Sequence, residues 1–154
     1  QSEVVAEDKL FATLNPVSRR LRFPEEREVV VTDTVGFIRN LPKELMEAFR
    51  TTLEELDEAD LLLHVLDASR EDVEELHDTV MHILGTLHLQ EKPVVTVLNK
   101  TDLCEPERVE ALVRRFHAVP VCALDRSSFV PLLDVLEAHL WAGAETAAWE
   151  AEVG

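Results

Sequence analysis

Val94-Val95-Thr96-Val97-Leu98-Asn99-Lys100-Thr101-Asp102 is the stretch that decides the fold. Its first five residues are apolar or β-branched and read as a strand. A continuous apolar run, rather than alternation, marks a strand covered on both faces, as in a parallel sheet. The run stops at Asn99, where the polar residues spell N-K-x-D. An aspartate carboxylate at the fourth position can accept hydrogen bonds from the N1–H and N2 amino group of guanine. Adenine offers no matching pair of donors, so a site built on those bonds discriminates strongly. Asn99 can contact the base edge or tie neighbouring loops together, and the Lys100 stem can lie across the base plane. A polar turn between strand and helix is the plain alternative for the same residues.

Upstream, Val29-Val30-Val31-Thr32 reads as a second buried strand and runs into Asp33-Thr34-Val35-Gly36, a D-x-x-G sequence. Asp33 can hold Mg²⁺ through a water, and the Gly36 N–H can meet a γ-phosphate, since glycine lets the backbone approach closely. Loss of that phosphate would release the following loop, as in a nucleotide switch. A threonine hydroxyl can complete the Mg²⁺ shell; Thr13, Thr32 and Thr34 are all open choices on the pattern alone. Downstream, Val119-Pro120-Val121 ends at Cys122-Ala123-Leu124. Small residues there would let backbone N–H groups reach guanine O6. Cys122 itself reads as a small packed residue rather than a nucleophile.

Strands and helices alternate along the chain. Leu61 to Leu66 ends at Asp67, and Leu21 to Phe23, turning at Pro24-Glu25-Glu26, reads as a hairpin partner of the Val29 strand. Helical stripes fill the gaps: Leu45, Phe49, Leu53 and Leu56; Val73, Leu76, Val80, Ile83, Leu84 and Leu87; Val109, Leu112, Val113 and Phe116; Leu132, Leu133, Val135, Leu136 and Leu140. Ser69 and Asp72 resemble a capping box for the second stripe, and Pro106 enters the third near its first turn. Such alternation predicts a doubly wound, mostly parallel α/β sheet. In such sheets ligands bind beyond the carboxyl ends of the strands, where Asp33, Asn99 and Cys122 all fall. Residues 1–141 read as one domain and 142–154, rich in Ala and Glu, as a tail.

The 154 residues carry 31 acidic and 15 basic side chains, a formal net charge of −16. That excess argues against a general nucleic-acid-binding surface, and no direct DNA binding is expected. Arg19, Arg20 and Arg22 are better read as a solvated loop or strand edge than as an RNA contact. Cys104 and Cys122 fit no disulfide or zinc spacing, and the histidines suggest no metal site. His64, inside an apolar strand, is expected to be packed and hydrogen-bonded. No stretch approaches the roughly 18 apolar residues of a membrane span. A cytoplasmic monomer is the expectation.

Three segments together resemble the GTPase domain of the HflX family, ribosome-associated GTP hydrolases related to translation factors. They are Phe11-Ala12-Thr13-Leu14-Asn15-Pro16, Thr32-Asp33-Thr34-Val35-Gly36-Phe37-Ile38 with Leu41-Pro42, and Asn99-Lys100-Thr101-Asp102. Asp60 to Val65 with Asp67-Ala68-Ser69 agree too, so the resemblance covers about residues 3 to 140. It implies GTP and GDP as ligands and the large ribosomal subunit as partner. It implies Thr13 as a direct Mg²⁺ ligand in a switch segment Phe11 to Asn15, and Asp33 as a Mg²⁺ ligand through water. It also implies base reading by Asn99, Lys100, Thr101 and Asp102 with Cys122, Ala123 and Leu124. Asn15 stands where Asp is commoner, and Cys122 where Ser is usual. Phe37 follows the D-x-x-G glycine where many GTPases place a water-orienting Gln, so unassisted hydrolysis is expected to be slow.

The phosphate loop, G-x-x-x-x-G-K-S/T, is nowhere in these residues. In the family it lies before the position of Gln1, with the first strand and first helix. It supplies the N–H cradle, a lysine on the β/γ-phosphates and a Mg²⁺ ligand. The expected architecture is therefore an incomplete phosphate-loop-type sheet. The parent protein is expected to hydrolyse GTP and the chain as written to be inactive. The alternative is a non-catalytic protein- or ribosome-binding module that has lost its nucleotide.

Overall fold

The computed structural model describes residues 17–33 and 55–142. Phe11 to Pro16, Thr34 to Gly36, Phe37, the stripe residues Leu45, Phe49 and Leu53, and nearly all of the tail lie outside them. The chain divides into two compact units between Glu58 and Ala59.

In the first unit β1 (Val17–Arg22) pairs antiparallel with β2 (Glu28–Asp33), in the register Leu21↔Val29 and Arg19↔Val31. The predicted hairpin forms, turning through Glu25 and Glu26, both at positive φ. The predicted burial of β2 does not hold: Val30 is 64% exposed and the residues to either side are half-buried. β1 is the strand that β2 pairs with among the described residues, and it leaves one face of the ribbon open to water. Leu56, placed by its spacing on a helical stripe, sits in a short 3₁₀ turn, Glu55–Glu58.

The second unit is a parallel sheet in the order β3-β4-β5, formed by Leu62–Asp67, Val94–Asn99 and Val119–Pro120. α1 (Val73–Thr86) connects β3 to β4, α2 (Pro106–Phe116) connects β4 to β5, and α3 (Val130–Trp141) follows. Parallel neighbours need such crossovers, because a tight hairpin can join antiparallel strands only. β4 lies in the middle and is buried from Val95 through Leu98, as its unbroken apolar run predicts. β3 departs from that prediction. Leu62, His64 and Leu66 are buried, while Leu63 and Val65 on the opposite face are 38% and 58% exposed. Its run is apolar on both faces, but one face is covered and β4 flanks one edge. The core gathers Leu66, Ala68, Val73, Leu98, Leu112 and Ala118, with Leu76, Cys104, Val113 and Phe116 packed against them. Burying Leu98 completely contributes about 2–3 kcal/mol.

The capping box predicted for α1 does not form. Asp72 sits at the N-cap with no side-chain capping bond, because its carboxylate takes a two-pronged bond from Arg70, at 2.8 and 2.9 Å. The Ser69 hydroxyl donates instead to Asp67.

His64 is packed as expected, but its buried Nδ1 has no hydrogen-bond partner among the described residues. The ring stacks on His77 at 5.5 Å, and His77 stacks on Phe116 at 4.1 Å. Burial, and then the neighbouring His77, lower the His64 pKa from 6.5 to about 4. Above pH 6.5 the ring is neutral in folded and unfolded chains alike. As pH falls below that value the unfolded chain takes up a proton that the fold refuses until about pH 4. Stability is lost across that window, by about 3 kcal/mol at most from this group. Urea unfolding of wild type and His64→Phe between pH 7.5 and pH 4.5 checks this. The wild type should lose stability faster on acidification, and identical slopes would contradict the assignment.

Candidate functional site

The parallel pairing of β3 with β4 sets Asp67 opposite Asn99, so both strands end at the same level. The Ala68 N–H donates to the Asn99 carbonyl at 2.9 Å, and the Val121 N–H donates to the Leu98 carbonyl at 2.8 Å. Three loops are thereby held at one end of the sheet: 67–70, 99–104 and 121–125. The predicted base-reading residues all lie in the second and third.

Asn99 ties these two loops together. Its Oδ1 accepts the Ala123 N–H at 3.1 Å, the second of the roles its sequence allowed. Thr101 adds a second tie, its hydroxyl and its N–H both reaching the Val121 carbonyl, at 3.0 and 3.4 Å. Lys100 turns the chain out of β4 in the left-handed conformation, at φ 63°. Only Gly, Asn and Asp adopt that region readily, so the surrounding bonds hold Lys100 in it. The turn throws Thr101–Leu103 into a 3₁₀ helix and leaves Asp102 exposed. Among the described residues nothing hydrogen-bonds or ion-pairs with the Asp102 carboxylate. An exposed acceptor beside a fixed loop is ready to meet a pair of N–H donors.

The Cys122 loop is more heavily bonded than its sequence suggested. The Cys122 N–H donates to Ser128 Oγ at 2.9 Å, and Asp125 caps the following turn by accepting the Ser127 N–H and hydroxyl at 3.0 and 2.7 Å. With the Ala123 N–H held by Asn99, Leu124 keeps the one N–H of these three residues without a partner among the described residues. Leu124 is also 91% exposed. Ser128 and Asp125 were missed because their role depends on loop shape, although an Asp with Ser two positions on is a known turn signal.

Asp67 and Arg108 were also missed as site residues. Asp67 Oδ2 accepts from Lys100 Nζ at 2.8 Å, and its Oδ1 accepts the Ser69 N–H and hydroxyl at 3.0 and 2.6 Å. The Lys100 ammonium, with Ser69, holds the Asp67 carboxyl below the usual carboxylate range. Arg108, from the first turn of α2, donates to the Ala68 and Arg70 carbonyls at 3.1 and 2.6 Å. Asp67 was readable as a strand-end carboxylate, whereas nothing local marks Arg108.

Asp33 closes β2 in the first unit, exposed, and no described residue bonds its carboxylate. Thr32 beside it bonds Ser18 at 3.0 Å. The other switch residues, Phe11, Ala12, Thr13, Leu14, Asn15, Thr34, Val35 and Gly36, lie outside the described residues. Among the described residues no cluster of His, Cys, Asp and Glu is arranged to hold a metal, and no helix is long and apolar enough to cross a membrane.

The family of 50S ribosome-binding GTPases matches residues 1–100. The GTPase HflX of Caldanaerobacter subterraneus subsp. tengcongensis is 52% identical over 104 residues, 68% of this chain and 24% of that protein. HflX of Lacrimispora saccharolytica is 39% identical over 137 residues, 89% of this chain and 32% of that protein. The chain thus spans a quarter to a third of the length of these relatives. Among solved structures, a GTP-binding protein from Sulfolobus solfataricus in complex with GDP superposes with a TM-score of 0.65 at 24% identity, over 95% of this chain and 50% of that one. Era, in complex with MgGDPNP and a segment of 16S ribosomal RNA, gives 0.61 at 23%, over 84% and 45%. At these identities the two structures speak for the fold alone, an α/β GTPase domain of which this chain holds part. The chain belongs to the family of 50S ribosome-binding GTPases, on its HflX branch.

Proposed function

We propose that this chain is the guanine-reading part of a GTPase that hydrolyses GTP to GDP and phosphate in association with the large ribosomal subunit. The observation that carries the reading is the tie from Asn99 Oδ1 to the Ala123 N–H. It fixes the N-K-x-D loop against the Cys122 loop while leaving the Asp102 carboxylate open. Asp102 is the acceptor for N1–H and the N2 amino group, Leu124 N–H is a donor toward O6, and the Lys100 stem stacks on the base plane. Neutralising a paired charge or orphaning a donor costs more than a neutral bond contributes, which is how this small set selects one base.

Mg²⁺ fits the donor set. Asp33 offers an exposed carboxylate, a hard oxygen donor of the kind Mg²⁺ takes directly or through water. In this reading Asp33 would hold the ion through a water and Thr13 would ligate it directly. Mg²⁺ supplies charge neutralisation at the phosphates. Phe11 to Asn15 and Thr34 to Gly36 are the segments that sense the γ-phosphate.

The 154 residues carry no phosphate loop. Without the loop's N–H cradle and lysine, binding by this chain is weak and rests on the base end. GTP incubated with this chain should release phosphate no faster than in buffer, as read by a phosphate-sensor assay. Release that disappears in Asp33→Ala would contradict this.

Asp102→Asn should lower GDP affinity by roughly tenfold or more, the cost of losing a charge-assisted pair. The same change should improve binding of xanthosine diphosphate, whose 2-keto oxygen accepts from the new carboxamide. Titrations followed by NMR amide shifts decide it. An unchanged preference for GDP would remove Asp102 from the base-reading role.

A further inference from the structure

Lys100 is held by a carboxylate from a different strand. Asp67 ends β3 directly opposite Asn99, and its Oδ2 receives the Lys100 ammonium at 2.8 Å. The pair is not deep: the side chains are 52% and 25% exposed for Lys100 and Asp67. Pairs of this exposure contribute little to stability, so a folding role does not account for it. The geometry around Asp67 is nevertheless specific. Ser69 gives it two more hydrogen bonds, and Arg108 fixes the Ala68 and Arg70 carbonyls on either side of Ser69. Ser69 thus holds the carboxylate with two donors, Arg108 braces the loop around Ser69, and that carboxylate holds one lysine.

We propose that Asp67, set by Ser69 and Arg108, is a positioning residue that pre-orders the Lys100 side chain for stacking on guanine. The proposal rests on the reading of Asn99 to Asp102 as the base site. A free lysine stem samples many rotamers, and ordering it on binding costs affinity. Here the left-handed backbone of Lys100 sets where the stem starts and Asp67 sets where it ends. The stem therefore spans the strand ends before any base arrives, and the ordering cost falls on the fold instead of on the ligand.

The test is a GDP titration of the 154-residue chain at millimolar nucleotide, followed by NMR amide shifts and by the Lys100 side-chain signals. Wild type is compared with Asp67→Asn, Asp67→Glu, Ser69→Ala and Asp102→Asn. Asp67→Asn should weaken GDP binding about threefold to tenfold, the factor expected for ordering one long side chain. Its Lys100 signals should move to those of a free lysine while the core amides stay put. Asp67→Glu should restore part of the affinity, and Ser69→Ala should weaken binding by about twofold through a looser Asp67. Removing a negative charge by itself would tighten binding of an anionic nucleotide, so weakening cannot come from net charge.

Equal or tighter binding by Asp67→Asn, with Asp102→Asn still losing GDP, would overturn the proposal and leave the base site standing. Unchanged GDP binding by Asp102→Asn, or no GDP-dependent shift in wild type, would overturn both. Should Asp67→Asn fail to fold, Ser69→Ala decides: affinity and Lys100 signals like those of wild type would overturn the proposal.

Discussion

The parallel pairing of β3 with β4 is the constraint on which the site depends. A one-residue slip of β3 would turn Asp67 and Asn99 to opposite faces and exchange buried for exposed side chains along β3. The register is fixed because β4 buries Val95 to Leu98 and because Leu62, His64 and Leu66 fill the covered face of β3. Asp67, Asn99 and the chain after Val121 then leave the sheet together. Each loop that follows is bonded to another loop before it is bonded to anything outside: Ala68 to Asn99, Asn99 to Ala123, Thr101 to Val121, Lys100 to Asp67. This end of the sheet is a cross-braced cluster set on a buried strand, not a set of free loops.

That construction explains how a small part of a nucleotide domain keeps its local shape. Functional constellations work when neighbouring hydrogen bonds lock their side chains. Here the locking groups are Ser69, Arg108, Asp125 and Ser128. Within these loops the Asp102 carboxylate and the Leu124 N–H have no partner among the described residues, and in the proposed reading they are the groups that meet guanine. The D-x-x-G strand belongs to the other sheet and ends at Asp33. Asp33 and the Asn99 loop thus lie on separate pieces of secondary structure.

Much of this was legible in the sequence, for physical reasons. An apolar run that ends abruptly in polar residues reveals both the strand and its carboxyl end, which located Asn99, Asp67 and Cys122. Apolar spacing revealed α1, α2 and α3, and Pro106 marked where α2 begins. What failed was burial. Val29 to Val31 look like core on composition, yet β2 stands in a ribbon with one face open, because burial depends on neighbours that composition does not contain. Ser69 and Asp72 have the spacing of a capping box, but Arg70 lies between them and takes Asp72, while Asp67 takes Ser69. Competition for short polar side chains is settled by the three-dimensional loop. Arg108 was invisible because its partners are carbonyls some forty positions earlier.

In the proposed reading, the ends of β4 and β5 form a guanine-reading surface that does not need the phosphate loop for its shape. The most direct measurement is a residue-resolved NMR titration of this chain with GDP and, separately, with ADP. GDP should shift the amides of Asn99 to Asp102 and of Cys122 to Leu124 and leave α1 unmoved, while ADP should shift none of them. Equal responses to the two nucleotides, or GDP shifts that fall elsewhere, would contradict the account.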